Sequence, residues 1–232
     1  MVPAAVLDAC VLYPISLRDT LLNVAEAGSF RVLWTEEILT ETARNIVRDT
    51  PGLTMEHLEK TFAAIRRAFP DAMISGYEPL IEAMTNHPKD RHVLAAAVAA
   101  QADVVVTANL RHFPPQSGNP HGIRIESPDQ FLCDAMQRQP DVVAAALRAQ
   151  AARKRHPPMS ADEMLDRLAI TVPNFARGGQ APRARVNDRA VPRSGSGAAQ
   201  AQRSTAAAGR GRRCSCKGSC NEPLTPQQLR RP

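Results

Sequence analysis

Residues 103–114, DVVVTANLRHFP, set the tightest limit on the fold of this 232-residue chain. Three consecutive valines, between Asp103 and Thr107, suit a strand buried on both faces. Strands of that kind belong to parallel sheets, whose neighbours must be joined by crossovers, usually helical. The same run then breaks into a small polar cluster, Thr107-Ala108-Asn109, followed by Arg111 and His112.

The rest of the chain supplies the alternation that a parallel sheet needs. An apolar run at 4–7 ends at Asp8, and Ser16 then offers a cap for a helix carrying Leu17, Leu21, Leu22 and Val24, stopped by Gly28. Residues 30–34 read as a second strand. Thr35 reads as an N-cap with Glu36 and Glu37 in the first turn, and Ile38, Leu39, Ala43, Ile46 and Val47 as the buried stripe, up to Pro51-Gly52. A helix over 54–69, a third strand at 72–75 and a short helix over 79–85 come next. An Ala-rich helix runs from Asp90 to Gln101, and the fourth strand spans 104–107. A fifth strand at 122–125 precedes Ser127-Pro128, a cap followed by proline that opens another helix. A helix over 140–154 follows, and Ser160 with Glu163 forms a capping box for a last one over 161–169. The expected fold is α/β, a three-layer sandwich with a central parallel sheet of about five strands, plus C-terminal helices.

Charge divides the chain. Residues 177–232 hold 12 of the 29 Lys and Arg but only two acids, so this stretch carries +10 and residues 1–176 carry −4. Rich in Gly, Ser, Pro, Ala and Gln, the basic tail lacks the apolar surface that offsets ordering entropy, and is expected to be disordered. Its Cys214, Cys216 and Cys220, with no histidine after His156, leave a zinc site one ligand short. Cys10 and Cys133 read as reduced core thiols. No run is apolar and long enough for a membrane span, and the N-terminus lacks the basic segment of a signal peptide, so a cytoplasmic location is expected. Neither a G-x-G-x-x-G turn nor a G-x4-G-K-[ST] loop occurs, which removes the glycine-based phosphate cradles.

In a parallel sheet, ligands bind beyond the carboxyl ends of the strands, where strand order reverses. Asp8 ends the first strand among apolar neighbours, and a carboxylate there is costly unless paired or bound to a cation. Glu41 lies off the buried stripe of its helix. Asp90 stands at a helix start, where the helix dipole by itself accounts for an acid. Three or four oxygens from separate elements, without a His-x3-His or Cys pair, suit a hard cation such as Mg²⁺ or Mn²⁺.

The segments VLDACVLYP, TEEILTET and KDRHVLAAAVAAQADVVVTANLRHFP, in this order, resemble the PIN-domain ribonucleases. The likeness is closest to the bacterial, VapC-like branch that includes toxins of type II toxin–antitoxin pairs, and covers about residues 3–135. It implies a nuclease domain over 1–138, a helical extension over 139–176 and the tail over 177–232, with the first strand central and flanked by the fourth. By motif position Asp8, Glu41 and Asp90 are the three metal-holding acids, Glu37 being the rival for the second. Thr107 and Asn109 occupy the T-x-D/N position, Asn109 serving to orient a metal-bound water. His112 stands where this branch carries Asp in N-L-x-D-F-P. Arg111 and Lys89 are candidate phosphate contacts. The resemblance further implies RNA as substrate, an antitoxin protein as partner, and allows a homodimer. His112 and Asn109 also motivate an alternative, a PIN-like module that binds RNA or protein without turnover.

Overall fold

The computed structural model describes residues 2–154 and 159–179. In chain order these form β1 (Ala4–Leu7), α1 (Ala9–Leu12), α2 (Ile15–Glu26), β2 (Arg31–Leu33), α3 (Glu36–Asp49), α4 (Met55–Ala68) and α5 (Arg91–Ala99). Then come β3 (Val104–Val106), α6 (Pro115–Gly118), β4 (Arg124–Glu126), α7 (Pro128–Arg138), α8 (Pro140–Arg153), α9 (Ala161–Leu168) and α10 (Pro173–Gly179).

The sheet is parallel throughout, in the order β2-β1-β3-β4. Ala5 pairs with Val32 on one side and Val104 on the other, and Leu7 pairs with Val106. Every residue of β1 and β3 is buried, so both faces of the sheet centre are covered by helices, as the triple valine requires. The chain steps from β1 outward to β2, then crosses back to place β3 on the other side of β1. Strand order therefore reverses between β1 and β3, and the crevice beyond their carboxyl ends is the place for a ligand.

Local chemistry fixes several of the helix starts. Thr35 accepts a hydrogen bond from the Ile38 N–H at 3.1 Å, with Glu36 and Glu37 in the first turn of α3. Ser127 caps α7 ahead of Pro128, and Ser160 and Glu163 form the reciprocal capping box of α9. The C-terminal helices fold back on the sandwich. α8 lies on α2, joined by the buried bond from Thr20 Oγ1 to Gln150 Oε1 at 3.1 Å. The Asp129 carboxylate of α7 accepts from the Asn174 and Phe175 N–H groups at 3.0 and 2.9 Å and fixes the start of α10.

The sheet has four strands rather than five. Residues 72–75 contribute one bridge, Met73 to Trp34, instead of a strand. A 3₁₀ turn at Pro70–Ala72 precedes it and Gly76, at φ +73°, follows, which leaves too little extended chain for a ladder. The helix expected over 79–85 is a 3₁₀ turn, Glu78–Ala83, with no buried residue to anchor an α-helix. Ser16 does not cap α2, which starts at Ile15 after Pro14. Among the described residues no helix is long and apolar enough to cross a membrane. α10 carries the described structure to Gly179; the rest of the basic tail, with Cys214, Cys216 and Cys220, lies outside the described residues.

Candidate active site

Asp8 follows β1 directly and is only 3% exposed. Its N–H continues the ladder to the Val106 carbonyl at 3.1 Å, while its own carbonyl receives Val11 and Leu12 and starts α1. The side chain is thus held at the strand–helix junction, over the end of β3. Thr107 Oγ1 donates to Asp8 Oδ2 at 2.6 Å, and Cys10 Sγ donates to the same oxygen at 3.1 Å. The Thr107 hydroxyl also accepts the Asn109 N–H at 3.0 Å, and Cys10 Sγ accepts the Ala108 N–H at 3.2 Å. The polar tip of the valine strand is therefore a frame for one carboxylate. Burial, followed by the Asp8 charge, pushes the Cys10 thiol up to about 12, so it stays protonated and acts as a donor. Sequence reasoning had given Cys10 no role beyond the core.

An open cleft of about 730 Å³ is lined by Glu37, Glu41, Asp90, His92, Asn109 and His112 among others; Asp8 is not part of its lining. Four carboxylates line it, those of Glu36, Glu37, Glu41 and Asp90, against the cations Arg44 and Lys89. Glu41 reaches it from α3, half-exposed. Burial raises its pKa above the ordinary range; next come the Asp8 charge and, further down, those of Asp90 and Glu37, with only His92 acting in the opposite direction. The charges of Asp8 and Asp90 both reach Glu41, so the three acids share one electrostatic neighbourhood. Its rival Glu37 is held by the Tyr77 hydroxyl at 3.1 Å.

Asp90 closes the 3₁₀ turn Pro88–Asp90 and occupies the N-cap position of α5 without making a capping bond. Its carboxylate turns instead to His112, with Oδ2 at 2.6 Å from Nδ1. The dipole role considered from sequence thus does not account for its orientation. His112 in turn stacks on His87, with ring centroids 4.2 Å apart and planes 14° from parallel. Thr107 and Asp8 are buried and outside the cleft lining, whereas Asn109 and Lys89 line it; Arg111 is exposed and also outside the lining.

His92 was missed in the sequence because it sits in an Ala-rich helix and reads as core. It is 7% exposed, with Nε2 3.8 Å from Glu41 Oε2 and Nδ1 4.0 Å from Glu37 Oε1. Its Nε2 is buried without a hydrogen-bond partner among the described residues. Clustered oxygens at this charge density, with a buried polar atom left over, fit a divalent cation.

Residues 4–111 match the family described as PIN domain, and residues 128–178 match the VapC50 C-terminal domain. The chain is 43% identical over 105 residues to a protein of Mycobacterium tuberculosis (strain ATCC 25618 / H37Rv) named "Putative ribonuclease VapC50". That stretch covers 45% of this chain and 62% of the relative, so the chain spans under two thirds of the relative's length. No solved structure matches. With its buried parallel sheet, the chain is thus similar to a PIN domain over residues 4–111 and to the VapC50 C-terminal domain over residues 128–178.

Proposed function

We propose that this chain is a metal-dependent endoribonuclease of the cytoplasm and the toxin of a type II toxin–antitoxin pair. The observation that carries the reading is that Glu41 and Asp90 line one acidic cleft while the charge of the buried Asp8, at the strand-order reversal, reaches Glu41. Asp8, Glu41 and Asp90 would hold Mg²⁺ or Mn²⁺, which when bound supplies Lewis acidity, lowering the pKa of water and offsetting charge on a phosphate. Thr107 and Cys10 both donate to Oδ2 of Asp8 and hold the carboxylate in one orientation, which leaves Oδ1 for a ligand. Asn109, its backbone fixed by Thr107, presents a neutral amide that orients a water without adding charge. Lys89 at the cleft wall is the better placed of the two phosphate contacts, and Arg44 joins it. The acidic crevice repels RNA until a cation fills it, and a partner that neutralises the toxin would place a basic side chain over it.

RNA cleavage by the wild type and Asp8→Asn across Mg²⁺ and Mn²⁺ tests the reading. Cleavage that requires the ion and falls by at least about a hundredfold in the variant is expected. Cleavage that survives EDTA or the substitution would sink it. A second reading, an RNA- or protein-binding module without turnover, is favoured by one observation: His112 already occupies Asp90 at 2.6 Å. Calorimetry that finds intact RNA affinity and no Mn²⁺ binding selects it.

A further inference from the structure

We propose that His87, Asp90 and His112 form a second ion site, for a divalent transition metal such as Zn²⁺ or Co²⁺, at the rim of the acidic cleft. One ring nitrogen of each histidine and one oxygen of Asp90 lie within 4.8 Å of one another. The site is preorganised by backbone. His87 and Asp90 stand three residues apart across a 3₁₀ turn, where i and i+3 side chains eclipse. The turn Leu110–His112 is tied to it by the His87 N–H donating to the His112 carbonyl at 2.9 Å. Metal–ligand bonds of about 2.1 Å require donors roughly 3–3.5 Å apart, so the set must close by about 1 Å. The exposed His87 ring supplies that movement by rotating about its own side-chain bonds. The hydrogen bond it gives up, Lys89 N–H to Nδ1 at 3.3 Å, is a long one.

Chemistry separates this set from the carboxylates below it. Two imidazole nitrogens and one oxygen suit borderline ions and not Mg²⁺, which retains oxygen ligands and water. The ion takes the place of the hydrogen bond between Nδ1 of His112 and Oδ2 of Asp90, and the proton of that bond is released to solvent. Asp90 is common to both sites, but the inference stands on the histidines and holds whether or not the chain cleaves RNA.

The test uses the full chain with Cys214→Ser, Cys216→Ser and Cys220→Ser, because tail thiolates would themselves take the probe ion. Co²⁺ is titrated and followed by its visible absorption, then displaced with Zn²⁺ or Mg²⁺. One equivalent of Co²⁺ is expected to give an absorption band that Zn²⁺ removes and a roughly hundredfold excess of Mg²⁺ leaves in place. His87→Ala, at an exposed position, and His112→Gln each weaken Co²⁺ binding at least about tenfold, while Asp8→Asn leaves it within about twofold. A band unchanged in His87→Ala, no band at all, or a band lost in Asp8→Asn alone overturns the proposal. Because RNA cleavage fails in Asp8→Asn under the proposed function, the two readings fail in different variants.

Discussion

Thr107 shows how a single side chain supports the crevice. Fully buried, its hydroxyl donates to Asp8 and accepts from Asn109, with Cys10 Sγ a further 3.5 Å contact. Thr107→Val keeps the shape and leaves both partners short of a bond, which costs about 1–3 kcal/mol and lowers the Tm by roughly 3–10 °C in thermal unfolding. Glu41 carries the opposite sign. Its folded pKa is raised above the ordinary 4.5 by burial and by its acidic neighbours, so the native state holds this proton more tightly than the unfolded chain does. Stability from this group is present below 4.5 and is lost as the pH rises through the raised value. Glu41→Gln is therefore expected to stabilise the metal-free protein at neutral pH. The side chain is 45% exposed, and solvent screening limits the gain to about 0.5 kcal/mol, a Tm rise of 1–2 °C. The gain should vanish as the pH falls below 4.5; a difference independent of pH would show that charge is not its cause. Asp8 and Asp90 stood out in the sequence because one ends an apolar run and the other starts an element, whereas mid-helix Glu41 was singled out only by its place in the motif. His92 was not, since a lone polar residue followed by Val93, Leu94 and three buried alanines is indistinguishable from packing until α3 is set opposite it.

At the level of elements, prediction from sequence succeeded where a residue's own chemistry decides. The capping residues Thr35, Ser127 and Ser160, the proline after Ser127 and the valine run each act within a few residues of themselves. It fell short where an element depends on distant packing. Residues 72–75 have the apolar composition of a strand, but the edge of β2 accepts a single bridge from them. The connection from β3 to β4 rests on a close approach of this kind. A Cβ at Gly118 would lie 2.5 Å from the Ile123 carbonyl oxygen and 3.2 Å from the Ile125 side chain. Gly118 accepts the Ile123 N–H at 3.2 Å, so the two backbones cannot separate without loss of that bond. Gly118→Ala is expected to destabilise by about 1–3 kcal/mol in denaturant unfolding, with the midpoint moved and the slope unchanged. A neutral effect would show that the turn before β4 is free to shift.

Across the whole molecule, the three acids are brought together only by the sheet. Asp8 and Asp90 belong to segments separated by β2, α3 and α4, and neither the unfolded chain nor any single element holds them near Glu41. An ion bound by all three therefore binds the folded state alone, and its affinity adds to stability. At a Mn²⁺ concentration about a hundredfold above the dissociation constant the gain is about 2.7 kcal/mol, a rise in Tm of roughly 5–10 °C. The same ion also reverses the penalty at Glu41, whose neighbours raise its pKa only while their charges are unbalanced. The stabilisation should consequently grow with pH as the carboxylates ionise, disappear on addition of EDTA, and be absent in Asp8→Asn. Thermal unfolding with and without Mn²⁺ at two pH values measures all three effects. A Tm indifferent to Mn²⁺ in the wild type would remove the metal from the proposed function while leaving the fold as described.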